Sequence, residues 1–451
     1  MPVELIYLIV LVALIIVIIT VPKRPVYEAT FVAFVIILFV TWRWDRLGTC
    51  LASSFSQTIL YTIFAFMAFS IVMKETKVMD SCVALITSVC GKFKGGAAYA
   101  DIVANTFLGA LSGGGPQNIP VVGSMTLPSM KKSGIPDKLA VNVSAFDSLM
   151  GNFIPPSPTY AAAFGIYAGF CAASGHTSVS SAEMWGVMWI IAAVMILFRI
   201  VTVFVSCKIN HVVTVPKEDL PRFRDAIKSG WKALFLPLII ALPFILDMAC
   251  SGFVADRIGA EAAGMVSKSV LLIIPGFAAI CSLFLGSKRP KFTELANAFA
   301  ENANGIIMIV AMVLFSMFIG NIISVGEIGA FLSGLDLPLA VLALIVPLLT
   351  SVMSMIISSV AITVFFGNMI LAVLVAAGAS PLIVAAMLPL ICGGLSGTIP
   401  PSAPCLFIGA NILKCDLRGV NGIAVRWSVE QFVFVELLFM AACLISSAVM
   451  L

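Results

Sequence analysis

The sequence predicts an all-α polytopic membrane protein, built as an inverted repeat with two re-entrant helical hairpins and two discontinuous helices. The chain is 61% hydrophobic and only 11% charged, whereas a soluble protein carries about 25% charged residues. Apolar runs near the spanning length of ~20 residues recur from end to end. The segment IPPS occurs twice inside apolar stretches, at residues 154–157 and 399–402.

The two IPPS segments interrupt the chain at corresponding places of its two halves. A proline inside a helix removes one backbone hydrogen bond and clashes with the preceding turn. In hydrocarbon the freed polar groups have no water to bind, so such a break is tolerated only against protein or a water-filled cavity. A break that recurs at the corresponding place of the second half therefore indicates a function and not only a bend in the helix.

Loop charges set the predicted orientation. Residues 208–232 hold six basic side chains, which predicts a cytoplasmic loop. The loop at 174–183 has no Lys or Arg and is expected to lie outside. Arg43 and Arg46 disagree with this orientation, because they fall on the side predicted as outside.

The apolar stretch at 4–21 lacks a cleavage site and is interpreted as a retained first span. Both chain termini are then expected in the periplasm.

Two regions have arms too short to cross as simple spans. Residues 97–130 are basic at both ends and rich in glycine in the middle, and each arm has about 12–15 residues, below the spanning length. They predict a hairpin that enters from the cytoplasm. Residues 337–377 have a serine-rich tip and ends poor in positive charge, which predicts a hairpin that enters from outside. An interrupted helix follows each hairpin, at about 139–173 and about 382–413.

The predicted domains follow from this symmetry. They are a first repeat with N-terminal spans (1–207), a cytoplasmic linker (208–232), and a second repeat with a C-terminal span (233–451). Inverted repeats whose discontinuous helices meet near the bilayer midplane are common in secondary transporters.

The hairpin tips and helix breaks offer groups that bind an ion or an anionic solute. Glycines let a backbone approach a ligand closely. Unwound carbonyls and hydroxyls suit a hard cation such as Na⁺, and half-helix N-termini suit an anion. We expect a cation site between each tip and its break. The candidate cation-binding residues are Ser112, Gly113, Gly115, Pro155, Ser157, Ser354, Ser358, Thr398, Pro400 and Ser402, and the candidate solute-binding residues are Asn118, Ser157, Ser359, Thr363 and Ser402. The alternative is that small residues only permit close helix packing.

Ionisable residues inside spans are functional candidates by default. Asp147 is a candidate ion or proton site, and the equal alternative is a paired structural carboxylate. Asp101 lies near the predicted cytoplasmic mouth of the first hairpin and is expected to reach water. Arg199 and Glu436 both lie in spans and could pair with each other.

Motifs of other function classes do not occur in the sequence. It has no nucleotide-binding P-loop, nucleophile elbow or zinc motif, and its two histidines lie in predicted loops. The basic residues are scattered between spans, which argues against a nucleic-acid surface. We therefore expect neither an enzyme nor a cofactor, and the driving force is expected from an ion gradient or another subunit. A membrane scaffold without a transport path is the alternative from a different class.

Several segments, in order and over nearly the whole chain, resemble the large permease subunit of tripartite ATP-independent periplasmic (TRAP) transporters. They are residues 64–86, the tip GALSG at 109–113, the exit arm at 123–134, IPPS at 154–157, and the linker at 219–247. The chain departs from that pattern at Gly114-Gly115-Pro116, where the family usually has further serines. It departs again at Asp147, where the family usually has small residues.

This resemblance implies an elevator-type, Na⁺-coupled importer of carboxylate-bearing solutes in the bacterial inner membrane. It implies a small four-helix membrane subunit and a periplasmic binding protein as partners. It also implies cation ligation by Ser112–Gly115, by Pro155–Ser157 and by their second-half counterparts. A stand-alone Na⁺ or H⁺ symporter of organic anions on the same scaffold is the alternative.

Overall fold

The structure is a computed structural model, and its described part is helical throughout. It describes residues 3–22, 24, 26–56, 58–112, 115–155, 157–176, 179–216, 218, 220–322, 334, 337–354, 359–399 and 403–450. The helices up to the first break and just beyond it are α1 (Val3–Thr20), α2 (Val26–Thr41), α3 (Leu47–Phe55), α4 (Thr58–Glu75), α5 (Val78–Cys90), α6 (Gly96–Ser112), α7 (Gly115–Lys132), α8 (Asp137–Ser148), α9 (Met150–Phe153) and α10 (Pro158–Ser174).

The remaining helices are the last helix of the first repeat and those of the linker and the second repeat. They are α11 (Ser181–Ile209), α12 (Phe223–Gly230), α13 (Leu236–Ile258), α14 (Ala260–Leu285), α15 (Phe292–Ile322), α16 (Leu339–Ser354), α17 (Ser359–Ala376), α18 (Pro381–Gly393), α19 (Pro404–Leu413) and α20 (Leu417–Met450). Short 3₁₀ turns cover Trp44–Arg46 and Trp231–Phe235. The proposed division of the chain at residues 207 and 232 stays a prediction.

Continuous apolar helices of spanning length are few in the described part of the chain. Two helices qualify by length and composition, Ser181–Ile209 and Leu417–Ala448, and up to four do if two bent pairs count as single spans. Most other apolar helices are shorter, in keeping with hairpin arms and half-helices.

The first hairpin and the first interrupted helix lie where the sequence predicts them. Helices α6 and α7 pack against each other as the two arms of the hairpin. After α9, Ile154 is extended, with φ −88° and ψ 120°. The Ser157 hydroxyl then accepts a hydrogen bond from the Tyr160 N–H, and Pro158 occupies the first turn of α10. A serine cap followed by proline is a strong signal for a helix start, so this segment both ends one half-helix and begins the next.

The second repeat has the same elements with a longer break. Helices α16 and α17 pack as the two arms of the second hairpin. Helix α18 ends at Gly393, and α19 begins at Pro404. Gly397 lies between them at φ +90°, in the left-handed region that favours glycine.

The two hairpins open to opposite ends of the helix bundle, and the long helix α20 shows this. Near its start, the Val420 carbonyl accepts a hydrogen bond from Asn142, one turn beyond the base of the first hairpin. Near its end, the Ser446 hydroxyl accepts one from the Ser380 N–H, at the base of the second hairpin. At 1.5 Å per residue these two contacts lie about 40 Å apart. The inverted arrangement is therefore confirmed.

Arg43, the basic residue that disagrees with the charge rule, has a specific partner. Its guanidinium donates to the carbonyl oxygen of Ile322 at 2.6 Å. Ile322 is the last residue of α15 that the structure describes. This hydrogen bond gives the Arg43 guanidinium a backbone partner on another helix.

Candidate functional site

The two repeats exchange their half-helices at the breaks. Helix α10, which follows the first break, packs against α17 and α18 of the second repeat. Helix α19, which follows the second break, packs against α7 and α8 of the first repeat. Each hairpin also contacts its own interrupted helix, α6 through α9 and α17 through α18. The arms of each hairpin therefore contact the interrupted helix of their own repeat and the following half-helix of the other.

The arm before the first tip touches its own break through two glycines. A Cβ placed at Gly151 would lie 2.8 Å from the Cα of Gly109, and one placed at Gly109 would lie 2.5 Å from the Cα of Gly151. The two backbones are in direct contact, so there is no space for a side chain on either residue. The approach of α6 to α9 therefore requires glycine on both sides.

The arm after the first tip lies between α8 and α19. A Cβ placed at Gly115 would be 3.0 Å from the Sγ of Cys405 and 3.1 Å from the Oγ of Ser148. Asn118, one turn further along α7, is fully buried. Ser112 ends α6, and its side chain lies outside the described residues, as does all of Gly113.

At the first break the predicted residues are buried within protein. Pro155 lies in the extended segment and is buried. Ser157 is fully buried and caps α10. A hydroxyl has two acceptor lone pairs and one donor, so the cap leaves Ser157 with capacity for a ligand.

Asn152 joins the first break to the second repeat. Its Nδ2 donates to the carbonyl of Gly393 at 3.0 Å, and its Oδ1 accepts from the Ser359 hydroxyl at 3.4 Å. Gly393 ends α18 and Ser359 begins α17. This one side chain therefore holds the end of one half-helix and the exit arm of the opposite hairpin.

The end of α18 has two further side-chain donors. Thr350 on α16 donates to the Ile391 carbonyl at 3.0 Å, and Gln431 on α20 donates to the Gly394 carbonyl. Sequence reasoning missed Asn152, Thr350 and Gln431. The available signal was a polar side chain inside an apolar segment, close to a proline for Asn152 and Thr350 but not for Gln431.

The remaining predicted residues of the second repeat fall into two groups. Ser354, Ser359, Thr363 and Thr398 are buried, and the hydroxyls of Thr363 and Thr398 donate to the carbonyls of Ser359 and Leu395. Ser358, Pro400 and Ser402 lie outside the described residues.

Two expectations about charged residues were wrong. Asp101 does not reach water, since it is fully buried and accepts hydrogen bonds from Thr126 and Asn105. Arg199 pairs with Asp147 rather than with Glu436, its Nε lying 2.8 Å from Asp147 Oδ1. Sequence alone could not connect Asp101 with Thr126 or Arg199 with Asp147, because these partners lie on different helices, 25 and 52 positions apart.

A model of the family described as tripartite ATP-independent periplasmic transporter, DctM component, matches residues 4–446. The chain belongs to this family. It is therefore a multi-pass membrane permease subunit and not an enzyme. The chain's suspected kinship with the TRAP large permease is confirmed.

Curated TRAP relatives match at low identity. The C4-dicarboxylate TRAP transporter large permease protein DctM of Vibrio cholerae is 26% identical over 212 residues, 46% of this chain and 44% of that protein. The protein of the same name from Pseudomonas aeruginosa is 23% identical over 299 residues, 66% and 63% of the two chains. The isethionate TRAP transporter permease protein DctMQ of Oleidesulfovibrio alaskensis is 25% identical over 54% of this chain and 34% of that protein. Each match thus spans less than two thirds of the relative's length.

Solved structures share the fold of this TRAP permease chain. The YdaH transporter of Alcanivorax borkumensis gives a TM-score of 0.63 at 14% identity, over 89% of this chain and 88% of that one. MtrF of Neisseria gonorrhoeae gives 0.60 at 16% identity, over 89% and 85%. The predicted fold class, an all-α inverted repeat on the elevator-type transporter scaffold, is confirmed.

The close contact between Gly109 and Gly151 predicts that one methyl group added at Gly151 destabilises the protein. Gly151→Ala forces the backbones of α6 and α9 apart, which should cost about 1–3 kcal/mol, as overpacking does elsewhere. The measurement is the thermal unfolding midpoint of the purified chain. Gly169→Ala in α10 is the matched control, since a Cβ there meets nothing within 4 Å. Equal midpoints for the two variants would contradict the close approach.

Proposed function

We propose that this chain forms the solute pathway of a Na⁺-coupled importer of carboxylate-bearing compounds. The observation that carries the proposal is that the half-helix after each break packs on a hairpin arm of the other repeat, while Ser157 and Thr398 of the breaks are buried in the protein interior. Backbone is left irregular at membrane depth only where protein or a water-filled cavity receives it. Secondary transporters place substrate and coupling ions at such breaks.

The donor set at the breaks fits a hard monovalent cation. Helix ends leave their last carbonyls without helical partners, and α9 ends beside the Ser157 hydroxyl. Gly115 on α7 and Thr398 beyond α18 add backbone and hydroxyl oxygens. Oxygen ligands of this type suit Na⁺. Ser157, Thr398 and the backbone around Gly115 are the described residues that would hold it.

A carboxylate group of the solute would be held by helix N-termini. Helices α10 and α19 begin at the two breaks, and N–H groups at a helix start bind anions. In the described residues near the tips the buried guanidinium is that of Arg199, which is already paired with Asp147. Asn118, Ser359 and Thr363 are buried polar side chains on the adjoining hairpin arms and would contribute further contacts.

The names of the relatives support a small organic acid as the solute. Two are C4-dicarboxylate permeases, and a third is an isethionate permease. The family's description as tripartite and periplasmic supports a small membrane subunit and a periplasmic binding protein as partners. We place the chain in the inner membrane with both termini periplasmic. The block formed by the hairpins and broken helices would move across the membrane against the other spans.

Uptake by reconstituted protein tests this function directly. Proteoliposomes that contain the chain with its small subunit and binding protein should accumulate a labelled C4-dicarboxylate when an inward Na⁺ gradient is imposed. They should lose uptake when the binding protein is omitted. Uptake by the chain alone would favour the stand-alone symporter. Failure with Na⁺ and success with a proton gradient would contradict the choice of coupling ion.

The serines at the breaks should govern the Na⁺ response. Na⁺ should raise the thermal unfolding midpoint of the purified chain by mass action. Ser157→Ala and Ser402→Ala each remove one hydroxyl ligand, so the Na⁺ concentration needed for a given rise should increase about tenfold, as expected for a loss of about 1.4 kcal/mol.

Ser269→Ala is the matched control for this measurement, since its hydroxyl is exposed on α14 and bonds only within that helix among the described residues. Ser157→Ala also removes a helix cap, so in the absence of Na⁺ the free energy of unfolding should fall by about 1 kcal/mol. The Na⁺ dependence separates the two roles. An unchanged Na⁺ dependence in both break variants would contradict the assignment.

A further inference from the structure

A buried charged cluster joins three helices of the first repeat. It consists of Asp101 on α6, Asp147 on α8 and Arg199 on α11, each at most 1% exposed. Asp101 lies about 16 Å along the helix axis from the last residue of α6. The cluster thus joins the first hairpin to two helices behind it, and the proposed Na⁺ positions do not include it.

Arg199 neutralises one of the two carboxyl groups. Its Nε and one terminal nitrogen both lie 2.8 Å from Oδ1 of Asp147. Its guanidinium also lies over the rings of Trp427 and Phe146, at 5.0 and 5.5 Å from their centroids. Aromatic faces on the guanidinium hold it in place without adding a second countercharge.

The Asp101 carboxyl group is held by neutral donors. The Thr126 hydroxyl donates to Oδ1, and the Asn105 amide donates to Oδ2 at 2.8 Å. None of these donors carries a charge. Two ionised carboxylates at this site would therefore share one arginine.

The two carboxyl groups lie close enough to interact electrostatically. Oδ2 of Asp147 is fully buried and has no hydrogen-bond donor in the described part of the chain. An ionised carboxylate only accepts hydrogen bonds. A proton on Asp101 would give this Oδ2 a donor, which two ionised carboxylates could not do.

Other groups near the cluster do not change its charge. Cys207, also on α11, is the further titratable group that interacts with Asp147, and Tyr99 on α6 interacts with Cys207. Helices α7 and α20 present Thr126 and Trp427, which are uncharged. With both acids ionised the cluster would keep one unbalanced negative charge, and an unpaired buried charge costs several kcal/mol.

We infer that Asp101 and Asp147 together bind one proton, and that Arg199 balances the remaining charge. The ligand of this site is H⁺, shared between the two carboxyl groups. The pair is thereby electrically neutral with Arg199 and fastens α6 to α8. The inference goes beyond the proposed Na⁺-coupled transport and does not rest on it, because it follows from the contacts within the cluster.

Infrared spectroscopy of the purified full-length chain tests the site. The wild type should show the carbonyl stretch of a protonated carboxylic acid at neutral pH, shifted by exchange into D₂O. Asp101→Asn should lose this component, since Asp147 then pairs with Arg199 as a simple ion pair. The variant should also keep the wild-type unfolding midpoint, because an amide replaces a neutral acid.

Glu436→Gln is the matched control, since Glu436 is another buried carboxyl group in a span and has no ion-pair partner among the described residues. Its spectrum should keep the component that Asp101→Asn removes. Arg199→Gln should instead gain acid signal if it folds, because both carboxyl groups then need a proton. An acid component that survives in the Asp101→Asn/Glu436→Gln double variant would overturn the inference, since no other partnerless buried carboxyl group is described. So would a wild type without an acid component.

Discussion

Hydrocarbon offers no hydrogen-bond partner to a backbone N–H or C=O group, and the architecture of this chain depends on that constraint. The proline breaks free such groups in the middle of two helices. The described structure satisfies them with side chains from the opposite repeat and from distant helices. Asn152, Thr350 and Gln431 each donate to a carbonyl at the end of α18. An interrupted helix is stable here because other elements of the same chain complete it.

The exchange of half-helices has a functional consequence. Because α10 packs on the second hairpin and α19 on the first, neither break can move independently of the other repeat. The buried cluster of Asp101, Asp147 and Arg199 adds a polar connection between the first hairpin and the helices behind it. Motion of the hairpins and broken helices as one block, as proposed for transport, is consistent with these connections.

The sequence was sufficient for the features that depend on local chemistry. Proline position, arm length and loop charge identified the two hairpins, the two breaks and their inverted relation. It was insufficient where the answer lay in contacts between distant segments. Asp101 looked accessible because it is near the start of α6, yet α7 and α8 pack over it and Thr126 of α7 donates to its carboxylate. The partner of Arg199 lies 52 positions away on another helix, and no periodicity within α11 points to it.

The crossed packing of the two repeats is the central claim, and a disulfide across it is the most direct measurement. A Cβ at Gly115 would lie 3.0 Å from the Sγ of Cys405, close enough for a bond between the repeats. Gly115→Cys, oxidised and then cleaved at a protease site inserted after His211, should leave the two halves joined on a non-reducing gel. Replacing Cys405 by alanine as well should separate them. Halves that separate with Cys405 present would contradict the crossed arrangement.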